Sequence, residues 1–175
     1  MSIYITGTTR GLGSALEFRF QRAFPFNDVI GLNRPSFNVR KPDEIVEFAK
    51  GFEIFVNNAH DGFAQTELLY KLFEVNKDRD CIILNINSVS ADGDRARVNP
   101  YAIQKKALDA ACTQLQLVPS KCKVMQVKLG RMETDLVKHI ESPKMDTIDV
   151  ARFIVELLEM STPDLIKTVT LDVKS

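Results

Sequence analysis

Charge of one sign is what this chain lacks most plainly. Across 175 residues Lys plus Arg and Asp plus Glu stand at 23 each, a formal net charge of zero, so no global field draws the protein to nucleic acid or to an anionic membrane. An anionic ligand must then be held by local geometry. Cysteine is scarce: Cys81, Cys112 and Cys122 are scattered and odd in number, which gives neither a disulfide framework nor a zinc-type ligand set. No metal centre is expected, and a reducing cytosol is the simplest compartment. Long apolar runs are absent. Nothing approaches the roughly 20 residues of a membrane span, and the first apolar stretch, IYIT, is too short for the core of a secretion signal. Repeats and low-complexity tracts are lacking as well. What is there, 45% hydrophobic and 26% charged residues, fits one domain spanning 1–175 with a core large enough to hold itself together.

Short β-branched runs recur along the chain: SIYIT (2–6), DVIGL (28–32), EIFV (53–56), CIILNI (81–86), KVMQV (123–127) and KTVTLDV (167–173). Segments of helical period separate most of them, at about 13–24, 43–50, 64–76, 101–117 and 147–159. Strand alternating with helix implies parallel strands and right-handed crossovers. The expected fold is α/β, a three-layer, Rossmann-like, doubly wound parallel sheet of about six strands. Between Leu32 and the helix near Asp43 lies only NRPSFNVRK, too short for a parallel crossover, so 33–41 reads as a loop. The polar, proline-containing stretch 135–147 reads as a mobile lid or a plain surface connection.

The segment ITGTTRGLG (5–13) joins the first strand to the first helix. Gly7, Gly11 and Gly13 let the backbone turn tightly and approach a pyrophosphate, whose charge a helix N-terminus favours. A glycine-rich turn that binds nothing is the other reading. Further on, Tyr101 and Lys105 share one side of a helix by their spacing alone. That spacing is equally compatible with a half-buried aromatic and a solvated lysine.

TGTTRGLG resembles the T-G-x-x-x-G-x-G fingerprint of the short-chain dehydrogenase/reductase family, and four more landmarks follow in order. NNAH (57–60) resembles N-N-A-G, NINS (85–88) ends where the family has its catalytic serine, YAIQK (101–105) matches Y-x-x-x-K, and LGRMET (129–134) resembles P-G-x-x-x-T. The interval from Ser88 to Tyr101 is also similar to the family's. The resemblance implies a nicotinamide-dependent oxidoreductase acting on a small-molecule carbonyl/alcohol pair, with the turn residues Gly7, Thr9, Arg10, Gly11, Leu12 and Gly13 on the cofactor. Asn58, Ala59 and His60 would line its middle, Asn38 and Val39 its adenine side, and Gly130, Met132 and Thr134 its nicotinamide.

A carbonyl receiving hydride builds negative charge on oxygen and needs a proton donor. By resemblance Tyr101 gives that proton and Ser88 hydrogen-bonds the substrate oxygen. Lys105 would favour the phenolate and lower the tyrosine's pKa, while also holding the nicotinamide ribose. The family's fourth member is an asparagine, and Asn76 in LFEVNK is the tempting candidate. Strand and helix rises argue against it: the helix must climb back more than ten residues from Asn76 to regain the level of Ser88. That places Gln65, or Asp61 and His60 just before it, near the site; Gln65 is the substitute, with an exposed helix-start glutamine as the alternative. His60 replaces the family's glycine and Leu129 its proline.

Asn33 stands at the end of the second strand, where a carboxylate would repel a 2′-phosphate, and Arg34 follows it. With Arg10 as a second cation, NADP(H) is expected over NAD(H). Two other readings stand beside the dehydrogenase. One is a sugar-nucleotide reductase or epimerase of the extended type, for which the chain after Thr134 is short. The other is a non-enzymatic nucleotide-binding sensor or scaffold. By analogy with surfaces that pair in the family, the helix at 101–117 and the terminal helix and strand imply a homodimer or homotetramer.

Overall fold

In the computed structural model, which describes residues 1–93, 98–132, 143–160 and 166–173, all six apolar runs form strands. In chain order they are β1 (Ser2–Thr6), α1 (Gly11–Ala23), β2 (Asp28–Leu32), α2 (Pro42–Phe48), β3 (Ile54–Asn57), α3 (Ala64–Asn76), β4 (Cys81–Ser88), α4 (Pro100–Leu115), β5 (Cys122–Leu129), α5 (Thr147–Glu159) and β6 (Thr168–Leu171). The strands lie in the order β2-β1-β3-β4-β5-β6, every pair parallel. Strand order reverses at β1, which opens a crevice between β1 and β3 at their carboxyl ends, where open α/β sheets take their ligands. Residues 33–41 form no strand, as their length requires.

Period-two alternation feeds two cores. Ile3, Ile5, Ile54, Val56, Leu84 and Val127 face α1 and α5, where Leu16, Phe20, Ile154 and Leu158 cover them. Phe55, Ile83 and Val124 face the other way, under Ile45 of α2, Leu68 and Leu72 of α3, and Leu108 and Leu115 of α4.

Helix starts follow from local chemistry. Asn99 accepts a hydrogen bond from the Ala102 N–H at 3.3 Å and Pro100 takes the first helical position of α4, which fixes where Tyr101 begins. Asp146 caps α5 by accepting from Ile148 N and Asp149 N. No side chain caps α1, and it begins at Gly11 rather than at Gly13 as the apolar stripe implied. The glycine turn is therefore tighter, and its first N–H groups open into the crevice. Of the polar stretch 135–147, only 143–147 lies within the described residues; there Met145 bridges Met132. No helix among the described residues is long and apolar enough to cross a membrane.

Candidate active site

Three chain reversals converge on the crevice. Gly7 has φ 73° and Gly11 φ 57°, the left-handed region that glycine enters at no steric cost. A Cβ on Gly13 would stand 2.0 Å from the Gly7 carbonyl oxygen, so this contact between helix and turn requires glycine. The turn after β3 is stitched to the same place. Asn58 Nδ2 donates to Thr6 O at 2.9 Å, and Thr6 Oγ1 accepts from both Asn58 N and Ala59 N. On the third side, Gly130 N donates to Leu171 O at 2.7 Å, tying the loop after β5 to β6.

Two adjoining clefts result. The larger, about 390 Å³, runs from the glycine turn past Asn58 and Ala59 to Ser88, Tyr101 and Lys105, and takes in Gly130 and Met132. The smaller, about 180 Å³, is lined by Asn33, Arg34, Asn38, Val39 and Asp61. Gly7, Thr9, Ala59 and His60 line both. Arg10, Gly11, Leu12 and Gly13 border the larger. Thr134 lies outside the described residues. Asn33 is not free to swing: its Oδ1 accepts from Thr8 N at 2.7 Å and its Nδ2 donates to Thr8 Oγ1 at 2.9 Å. Asp61 of the smaller cleft is paired with Arg40 through two hydrogen bonds of 2.6 and 2.7 Å.

Tyr101 is 40% exposed and lines the larger cleft together with Ser88, which the end of β4 delivers. Burial raises the phenol's pKa and the nearby Ser88 side chain lowers it, with a net upward shift. This corrects the expectation that Lys105 would make the phenol more acidic. The reason is geometric: Lys105 Nζ sits 5.7 Å from the Tyr101 ring centroid and is held from below, by Gln65 Oε1 at 2.8 Å and Ile86 O at 2.9 Å. Lys105 is 3% exposed, and burial depresses its ammonium to about 7, with the charge of Cys112 acting the other way.

Gln65 is 2% exposed, so it is no surface glutamine. Its Nε2 donates to Asn57 O at 2.6 Å and Ile86 O at 3.0 Å. Asn76 ends α3 far down the helix, donating to Leu72 O and accepting from Arg79. His60 turns its ring edge-on to Tyr101 at 4.9 Å between centroids. Burial and then Lys105 lower its pKa, and the Gln104 side chain and the Asp61 carboxylate oppose them.

Sequence reasoning passed over the layer beneath. On the α3/α4 side of the sheet, the apolar series Phe55, Ile83 and Val124 continues as Asn57, Asn85 and Gln126 at the carboxyl ends. Asn57 Nδ2 donates to Gln65 O and to Asn85 Oδ1, each at 2.9 Å, and Asn85 Nδ2 donates to Met125 O at 3.2 Å. Asn87 Nδ2 donates to Gln126 Oε1 at 3.0 Å, and Gln126 Nε2 donates to Asp109 at 2.9 Å. The readable signal was amides taking over buried period-two positions, a pattern that must be paid for in hydrogen bonds. Among the described residues no group of three or more His, Cys, Asp or Glu is placed to hold a metal ion.

No family model and no curated protein matches the sequence; solved structures do. A short-chain dehydrogenase from Burkholderia cenocepacia J2315 in complex with NADP is 17% identical, with a TM-score of 0.75 over 98% of this chain and 88% of that one. A 3-alpha-hydroxysteroid dehydrogenase from Pseudomonas sp. B-0831 complexed with NADH is 16% identical, with a TM-score of 0.80 over 98% and 95%. An alcohol dehydrogenase from the archaeon Thermococcus sibiricus complexed with 5-hydroxy-NADP is 16% identical, with a TM-score of 0.74 over 99% and 96%. The chain has the fold of the short-chain dehydrogenases, a six-stranded parallel sheet flanked by helices.

Proposed function

We propose that this chain is an NADP(H)-dependent oxidoreductase of the short-chain dehydrogenase/reductase type, interconverting a small-molecule carbonyl and its alcohol. One observation carries the reading: a single cleft of about 390 Å³ holds the glycine turn at one end and Ser88, Tyr101 and Lys105 at the other. A bound nicotinamide dinucleotide would supply the hydride. Unpartnered N–H groups of the first turn of α1 suit its pyrophosphate, and the smaller cleft suits its adenosine half. The neutral amide of Asn33, fastened to Thr8, adds no negative charge beside Arg34, and the Asp61 carboxylate in the same cleft is paired with Arg40, so Arg34 favours a 2′-phosphate.

In this reading the Tyr101 hydroxyl donates a proton to the substrate oxygen, and Ser88 holds that oxygen in place. Lys105 lies below the phenol at the floor of the cleft, with Gln65 as its positioning residue, and would turn to the nicotinamide ribose when the dinucleotide is bound. A phenol of raised pKa is fully protonated at neutral pH, which suits the reducing direction. Assembly as a homodimer or homotetramer is part of the proposal, as is a reducing cytosol, where the three thiols remain free.

Titration with NADPH and NADH, followed by a panel of carbonyl substrates on wild type and Tyr101→Phe, tests the proposal. The expected result is tighter NADPH binding, and turnover that falls by about 100-fold or more when the phenol is removed. Nucleotide binding without turnover of any substrate would instead favour a sensor or scaffold. Turnover indifferent to the phenol would sink the mechanism.

A further inference from the structure

The amino ends of β4 and β5, opposite the clefts, carry a pair of thiols that the proposed reaction does not use. Cys81 and Cys122 are register partners in neighbouring parallel strands. Both belong to the core on the α3/α4 side, so their side chains leave the sheet on the same face. Cys81 Sγ donates to Asn76 O at 4.0 Å, and the Cys122 side chain lies next to it as its register neighbour on the same face. Adjacent strands run about 4.8 Å apart, inside the roughly 4.4–6.8 Å between Cα atoms that a disulfide spans. Each is the first residue of its strand. The turns themselves meet, since Lys121 N and Cys122 N both donate to Lys77 O.

Both thiols are buried, and the pair is approached from the Cys122 side, where a cavity of about 280 Å³ is lined by Cys122 with Leu115, Gln116, Ser120 and Val124. The geometry points to a dithiol oxidation site: Cys81 and Cys122 form a reversible disulfide when a peroxide reaches them, with Cys81 attacking first. The two sulfurs are unequal. The neighbouring Cys122 thiol lowers the Cys81 pKa against the effect of burial, and the Arg79 guanidinium adds to the lowering. Cys122 is raised by its neighbour Cys81 and by burial. Cys112 lies fully buried in the same core and is raised by burial, which makes it an internal control.

The chemistry balances with the peroxide as the sole oxidant. The Cys81 thiolate attacks one peroxide oxygen, the O–O bond breaks, and the released hydroxide takes up a proton to leave as water. Cys81 is then a sulfenic acid. The Cys122 sulfur attacks the Cys81 sulfur, the S–O bond breaks, and the departing hydroxide takes the Cys122 proton as a second water. Two thiols and one peroxide become one disulfide and two waters.

Brief treatment of the folded, fully reduced chain with hydrogen peroxide, quenching with an alkylating reagent, and mass spectrometry without reduction test this. The expected result is a loss of two hydrogens from the intact mass and a linked peptide pair containing Cys81 and Cys122, reversed by dithiothreitol. Cys81 should be consumed roughly tenfold faster than Cys112 or more, as its greater thiolate character requires. In Cys122→Ser the sulfenic acid should persist on Cys81 and be trapped by dimedone. A link to Cys112 would overturn the inference. So would a Cys81 that advances to sulfinic acid while Cys122 stays alkylatable, or thiols that all survive peroxide sufficient to oxidise added glutathione. The wild-type peptide map decides the matter even if the serine variant fails to fold.

Discussion

Lys105 Nζ lies 2.8 Å from Gln65 Oε1, and both side chains are almost completely buried. A helix-start glutamine has thereby become the floor of the candidate site. Its amide is used at both ends, accepting from Lys105 and donating to the carbonyls of Asn57 and Ile86. Gln65→Leu keeps the approximate volume but strips three buried groups of a partner. At about 1–3 kcal/mol for a buried polar group left unsatisfied, the variant should lose roughly 2–4 kcal/mol in urea denaturation. Its kcat/KM should drop by about 10- to 100-fold, because the lysine is no longer held in place. A variant as stable and active as wild type would remove Gln65 from the site.

Stability should rise with pH above neutrality. The Lys105 ammonium is depressed from 10.5 to about 7 by burial, so between those values the unfolded chain binds the proton that the folded chain has released. More protons bound in the unfolded state means that the free energy of unfolding increases with pH. A depression of one pH unit corresponds to about 1.4 kcal/mol, offset in part by the two acceptors that favour the ammonium. Tyr101 acts oppositely, because its raised pKa costs stability only as pH passes about 10. Urea midpoints should therefore climb from about pH 7 to about pH 9.5, and Lys105→Met should flatten the climb. A wild-type midpoint that stays level through this window would contradict the depression of the Lys105 ammonium by burial.

The fold was legible because its determinants are local and repetitive. Val56 and Leu84 had to face one layer and Phe55 and Ile83 the other, and each alternation sat between helical periods of sufficient length. The glycine turn was legible for the same reason, since Gly7, Gly11 and Gly13 fall within seven residues of one another. The position of Gln65 followed from two rises per residue along antiparallel elements. What could not be read was orientation within the buried layer. That Lys105 turns down to Gln65 and Ile86 rather than up to the phenol depends on which acceptors lie under it. Those belong to α3 and β4, remote in sequence and brought there by the sheet register. Asn57 and Asn85 were visible as residues, but their meeting required knowing that they are register partners.

Asn33 offers a test of cofactor choice that leaves the turn in place. In Asn33→Asp one carboxylate oxygen still accepts from Thr8 N, and the Thr8 hydroxyl turns to donate to the other, replacing the bond now made from Asn33 Nδ2. The new charge lines the smaller cleft beside Arg34, where it repels a 2′-phosphate and accepts from a ribose hydroxyl. The ratio of NADPH to NADH affinity should fall by about 10- to 100-fold, a coupling of roughly 1.4–2.7 kcal/mol, with thermal stability nearly unchanged. An unchanged ratio would place the 2′ position elsewhere.

Gly13 tests whether the turn is built for close approach or merely rich in glycine. A methyl group there would stand 2.0 Å from Gly7 O and 2.8 Å from Asn58 Nδ2, and neither neighbour can yield. Gly7 O belongs to the backbone, and Asn58 is committed to Thr6 O. The start of α1 would have to lift off the turn, losing packing worth about 1–3 kcal/mol and moving its N–H groups away from any pyrophosphate. Gly93 is the matched control, since a Cβ there meets nothing within 4 Å. Gly13→Ala should lose nucleotide affinity by about tenfold or more, or 1.4 kcal/mol, while Gly93→Ala binds as wild type; calorimetric titration with NADPH reads both. If the Gly13 variant bound normally, helix and turn would have to move apart without cost, and the assignment of this turn to the pyrophosphate would fail.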